Sequence, residues 1–269
     1  GAGAAGAASG TTRLSIPLSD AGADLSVPAC ATYGGTGGAD GVASLAGQPK
    51  PLLLGYRRFV EPVLEDPARL IYRVHHGAAI SAIVAVRDRG VSLTANANVA
   101  NYAALQAASP GAGTYTPCLA EGCVRLGATP SLVTVDARGD AGGAGYSAGT
   151  PASLANKLIT GPGGISAAMI APGAFGDWPV GEAGLYLRGG TVAQALDAVA
   201  AGVGGWWGVT RLGLFTGGRI CAPEGLPPAW DIQPWMLRQP PAEAGAPDPP
   251  RWRATVGYQV LGRVMTGED

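Results

Sequence analysis

Apolar and polar positions change period several times along this chain, and each change marks an element. Leu14, Ile16 and Leu18 alternate with polar neighbours, which predicts a strand with one buried face. A connector containing GGTGG follows over residues 31–41. The run Leu52-Leu53-Leu54 is short and wholly apolar, as in a buried strand. It is entered through Gly47-Gln48-Pro49-Lys50-Pro51, whose two prolines hold the chain extended. Residues 70–74 and 80–86 predict two more strands, the second closed by Arg87-Asp88-Arg89-Gly90. A helix is expected over 99–107, capped by Asn98 and stopped by Ser109-Pro110-Gly111. Short strands are expected at 114–116, 123–126 and 132–137.

Beyond residue 138 the pattern turns helical. Thr150 and Pro151 suit a cap and a first helical position, and Leu154 and Leu158 share one face. Residues 184–187 read as a short strand. Thr191 and Gln194 fit a capping box, followed by a stripe of Val192, Leu196 and Val199. Residues 206–209 and 214–219 then predict a hairpin around Thr210-Arg211-Leu212-Gly213. Residues 252–260 alternate again as a strand. The expected fold class is α+β and β-rich. The expected division is a connector and strand over 1–44, a β-rich domain over 45–137 and a Gly-rich linker over 138–149. A helix-plus-hairpin α+β unit over 150–221 follows, then a Pro-rich extended arm over 222–250 and a terminal strand over 251–269.

Composition narrows the class. Of 269 residues 47% are apolar, enough for a sizeable core, and only 14% are charged. The 44 glycines and 22 prolines, with lysine only at 50 and 157, are read as a compositional skew and not as a functional sign. A net charge of −1 gives no electrostatic pull toward nucleic acid. No apolar run approaches the roughly 20 residues of a membrane span. Residues 1–10 have neither the basic region nor the long apolar core of a signal peptide, and the opening without Met reads as the start of a fragment.

Several segments together resemble a family of tailed-phage and prophage tail proteins. GQPKPLLLG (47–55), EDPARLIYRVHHG (65–77) and AVRDRGVSLT (85–94) are similar to that family's "G-x-PKPL-x-xG", "P-x-RLIYQVHDG" and "YDRG-x-x-LT" segments. CVRLG (123–127), LVTVD (132–136) and WWGVTRLG (206–213) fall, in the same order, where the family has "FRLG", "x-VTAD" and "WYGFDRLG". The similarity runs with gaps from about Leu14 to Tyr258. It implies a hub-like fold and a structural component of a tail tip, hub or baseplate, acting in assembly and host attachment. It also implies other tail proteins as partners, a trimer or hexamer in the assembled tail, and a place in the virion after synthesis in the bacterial cytoplasm. It implies no cofactor, no metal and no enzymatic activity.

Candidate chemistry is sparse. Trp206, Trp207, Trp230 and Trp235 are the candidate interface residues: one of the first two must face outward on a strand, and the other two sit in the Pro-rich arm. Outward tryptophans also permit an alternative reading as a carbohydrate- or receptor-binding tail module. Gly145-Tyr146-Ser147-Ala148-Gly149 spells a nucleophile elbow, and a serine hydrolase through Ser147 is a further alternative. The only histidines, His75 and His76, precede Ser147, whereas hydrolases of that fold carry the histidine last. On a strand the two histidines would face opposite sides, a poor arrangement for one metal. GAGAAG at 1–6 has no strand before it and is read as composition. Cys30, Cys118, Cys123 and Cys221 have no CxxC spacing and are expected as free thiols, although Cys118 and Cys123 could approach across a hairpin. Arg138-Gly139-Asp140 is read as a coincidental adhesion tripeptide. Glu61, Glu65 and Asp66 are expected on a solvated loop, because Pro62 and Pro67 break any helix that would align them.

Overall fold

Leu53 and its two neighbours organise the fold, because successive side chains on a strand point to opposite faces. A computed structural model describes residues 25–140 and 149–219. Strand β1 (Leu52–Val60) buries Leu53 in one core and Leu52 and Leu54 in another. The rest of the chain is layered on those two faces.

Twelve strands are described. After β1 come β2 (Val63–Asp66), β3 (Ile71–Arg73), β4 (Ile80–Asp88), β5 (Val91–Ser92) and β6 (Thr94–Ala95). They are followed by β7 (Thr114–Cys118), β8 (Cys123–Leu126), β9 (Val133–Asp140), β10 (Gly184–Leu187), β11 (Gly205–Val209) and β12 (Phe215–Arg219). The helices are α1 (Tyr102–Ala107), α2 (Pro151–Thr160) and α3 (Val192–Val203). One antiparallel sheet has the order β10-β1-β9-β4-β5, and a second has the order β2-β3-β8-β7-β6, with β6 parallel to β7. Strands β11 and β12 form a separate hairpin. The architecture is mixed α+β with several sheets.

The two five-stranded sheets share one core, in which Leu53, Val60, Val86 and Val135 meet Tyr72, Val74, Tyr115 and Val124. The other face of β1, with Leu185 and Leu187 of β10, is covered by α2 and α3 through Leu154, Leu158, Leu196 and Ala195. Phe175, Trp178 and Phe215 close that second core under the hairpin. A small third cluster of Ile71, Leu105, Cys118 and Cys123 holds α1 against the outer face of the second sheet.

Helix α2 is capped by Thr150 with Pro151 at its start, as expected. Helix α3 carries the full capping box of Thr191 and Gln194 and ends on Gly204 in a left-handed conformation (φ +64°). The stripe on α3 is narrower than expected, because Val192 and Leu196 are buried while Val199 is only partly so. Helix α1 starts three residues late. Asn101 accepts from the Ala104 N–H and caps it, whereas the Asn98 side chain accepts from the Leu119 N–H in the β7–β8 turn. Strand β9 runs to Asp140, so the first three residues of the expected linker are sheet. Strand β10, from the later part of the chain, is hydrogen-bonded to β1 over Leu52↔Leu187 to Gly55↔Gly184.

The expected strands at 13–18 and 252–260, the Pro-rich arm, Ser147, Cys221, Trp230 and Trp235 lie outside the described residues. Among the described residues no helix is long and apolar enough to cross a membrane.

Candidate functional site

The hairpin carries the candidate contact surface. Thr210 builds its turn: its hydroxyl accepts from the Leu212 and Leu214 N–H groups, and its own N–H reaches the Leu214 carbonyl at 2.8 Å. Gly213 takes φ +77°, which a turn of this shape requires. Trp206 and Trp207 then separate as period-two geometry dictates. Trp207 packs toward the helical core, and its indole N–H donates to Asp197 Oδ1 of α3 at 2.8 Å. Trp206 is 47% exposed. Its cross-strand partner is Gly218, and a Cβ at 218 would stand 3.2–3.3 Å from the indole, so the ring lies across a glycine floor. Val209 and Leu212 at the hairpin tip are exposed as well.

Two ionic clusters are buried in the five-stranded sheets. In the first, Glu65 of β2 is fully buried and receives Nε and Nη2 of Arg73, the second at 2.9 Å. Arg73 Nη1 donates to the carbonyls of Glu121 (2.9 Å) and His75 (3.2 Å), and Nη2 also reaches the Ala39 carbonyl at 3.4 Å. Burial pushes the Glu65 carboxyl above its usual range, and the Arg73 hydrogen bonds pull the other way. This corrects the expectation of a solvated loop for Glu65 and Asp66, because Pro62 and Pro67 do exclude a helix but bracket a strand, whereas Glu61 is exposed outside it as expected. Asp66, also buried, accepts from Arg69.

His75 sits beside this cluster, just past the end of β3. Its Nδ1 accepts from the Leu53 N–H at 3.0 Å, so the proton of the neutral ring is on Nε2. Burial pushes His75 down to about 4, helped by His76 and opposed by Asp140. His76 is also held down to about 4, by burial first and then by Arg73 and Lys50. The two rings stack at 5.9 Å and do not face opposite sides, because the strand ends at Arg73. Among the described residues no group of three His, Cys, Asp or Glu side chains is placed to hold a metal.

The second cluster centres on Asp136 of β9. It receives both Nη groups of Arg87 at 2.9 Å and the Phe59 N–H at 2.9 Å. Phe59 has φ +52° at the irregularity between Arg57 and Val60, and its ring lies under the Arg87 guanidinium. Burial alone would raise the Asp136 carboxyl, but the Arg87 hydrogen bonds and the Phe59 N–H hold it low. The Arg138-Gly139-Asp140 tripeptide is sheet: Asp140 is buried and pairs with Lys157 at 2.7 Å, while Arg138 pairs with Glu182. Cys118 and Cys123 are direct cross-strand partners, and both are buried and free, as is Cys30.

Sequence reasoning reached Trp206 and Trp207 and missed the Glu65–Arg73 and Asp136–Arg87 clusters. Each cluster joins an Arg on one strand to a carboxylate on another, Arg73 of β3 to Glu65 of β2 and Arg87 of β4 to Asp136 of β9, which no single-strand pattern exposes. Against known proteins, the chain matches no family model, no curated protein and no solved structure.

Proposed function

We propose that this chain is a structural component of a bacteriophage or prophage tail, at its tip, hub or baseplate. The observation that carries the reading is the ordered series of segments, from GQPKPLLLG to WWGVTRLG, that resembles tail proteins. What those segments do in the fold supports a structural role. EDPARLIYRVHHG supplies the Glu65–Arg73 pair, LVTVD supplies Asp136, and AVRDRG supplies Arg87. Helix α3 followed by the β11–β12 hairpin corresponds, in this reading, to the helix-then-hairpin unit that the resemblance implies for a tail hub protein. In this reading the protein assembles with other tail proteins as a trimer or hexamer, has no catalytic role, and presents Trp206 on its outer surface. Immunogold electron microscopy of particles from the producing bacterium tests it. Label at the tail end distal to the head, at three or six copies, is the expected result, and particles without label overturn the reading.

A second reading has one specific observation behind it. The half-exposed Trp206 indole on its glycine floor has the form of a stacking platform for a sugar ring. Quenching or enhancement of tryptophan fluorescence by host surface glycans, lost in Trp206→Ala, is the expected outcome for a carbohydrate-binding module.

A further inference from the structure

The turn between β3 and β4 carries both histidines, and each uses a ring nitrogen to hold a backbone N–H from another part of the chain. His75 Nδ1 accepts from Leu53 of β1 at 3.0 Å, and His76 Nε2 accepts from Ala31 at 3.4 Å. Ala31 in turn is fastened to the entry of β1. Its carbonyl accepts from the Lys50 N–H at 2.7 Å, and Thr32 bridges Pro49. The His76 N–H reaches the Pro51 carbonyl at 2.9 Å. The two rings therefore join the 29–51 segment and β1 to one turn.

The nitrogen that accepts is the one that takes the next proton, and an imidazolium is donor-only. A proton on His75 Nδ1 would face the Leu53 N–H, and a proton on His76 Nε2 would face the Ala31 N–H. Neither ring can be charged where it stands. The neighbouring charges add to this. His75 faces Asp140 of β9, but that carboxylate pairs with Lys157 of α2 at 2.7 Å. Arg73 of β3 opposes a charge on either ring, and Glu65 of β2 is already paired with it. Lys50 opposes a charge on His76, and Asp40 is paired with Lys50. Glu121, in the turn between β7 and β8, gives its carbonyl to Arg73. The rings stack at 5.9 Å, so a charge on one also opposes a charge on the other.

The turn can leave without unpacking a core. Gly77, Ala78 and Ala79 are small and none is buried. The flanking Val74 and Ile80 are buried, and their N–H groups stay bonded to the Gly122 and Leu119 carbonyls.

We propose that His75 and His76 form an acid-operated latch. When both rings take up a proton, residues 75–79 swing out, Leu53 and Ala31 lose their acceptors, and the 29–51 segment loosens while the sheets stay paired. This does not rest on the tail reading.

Hydrogen exchange of the full chain, read by NMR and corrected for its intrinsic pH dependence, tests the latch together with the ring titration of the two histidines. Between pH 7 and 4 the Leu53 and Ala31 amides should lose at least tenfold in protection. Amides of β9 should keep theirs, and both ring signals should titrate over the same interval. Protection kept at either amide down to pH 4, or lost equally in β9, overturns the latch. In the double variant His75→Gln, His76→Gln the side-chain carbonyls still accept but take up no proton, so both amides should stay protected at pH 4. Opening that persists in that variant also overturns the proposal, and the parent measurements decide it if the variant fails to fold.

Discussion

Single residues carry most of the electrostatic risk in this fold. Glu65 and Arg73 are both buried and satisfy each other, so removing one partner leaves the other charged in a poor solvent. Glu65→Ala should lower stability by about 3–5 kcal/mol in urea unfolding. The double replacement Glu65→Leu, Arg73→Met should cost much less than the single, since it leaves no buried charge unpaired. His75 gives the fold a pH dependence whose direction is set by burial. Its folded pKa of about 4 lies below its ordinary 6.5, so the fold favours the neutral ring. Its contribution is complete above pH 6.5 and is lost as pH falls toward 4, by about 3 kcal/mol over the window. His76 titrates over the same window. Urea midpoints between pH 7 and 4 should therefore fall steeply, and His75→Gln should remove about half of that slope. A flat profile in the parent chain would contradict the burial of both rings. Neither residue's role is visible in the sequence, where Glu65 looks like a loop acid between prolines and the histidines look like strand neighbours.

At the scale of elements, local signals were strongest where a helix start depends on contiguous residues. Thr150-Pro151 and Thr191 to Gln194 name their helices because each cap bonds within three residues. The cap of α1 is not decided locally, because Asn98 and Asn101 are both competent. The choice between them is made by the Leu119 N–H, 21 positions away, which takes Asn98. The buried face of α3 sets a prediction at this scale. Leu196 is fully buried between α2 and the hairpin, so Leu196→Ala should cost about 2–5 kcal/mol through lost burial and the cavity left behind. Val199, only partly buried, should cost clearly less in Val199→Ala, and equal costs would mean that the helix is rotated from the face described.

At the scale of the whole molecule, β1 joins the two larger cores. Leu53 faces the core between the sheets, Leu52 and Leu54 face the helical core, and β10 from the second half of the chain is bonded along the same strand. The two halves should therefore unfold together. Calorimetry should show one transition with equal calorimetric and van't Hoff enthalpies, and Leu53→Ala and Leu196→Ala should lower the same midpoint. Two resolved transitions would contradict this coupling. Short-range patterns in the sequence account for the α+β class, the positions of nine of the twelve described strands, two of three helix caps, and a hairpin with one tryptophan outward. Those follow from period, capping and turn chemistry, which act over a few residues. Only the tertiary structure decided which strands are neighbours, because pairing such as β1 with β10 joins residues more than 120 positions apart. It also decided that Glu65, Asp136 and His75 are interior, since burial of a polar group depends on a partner that another strand supplies.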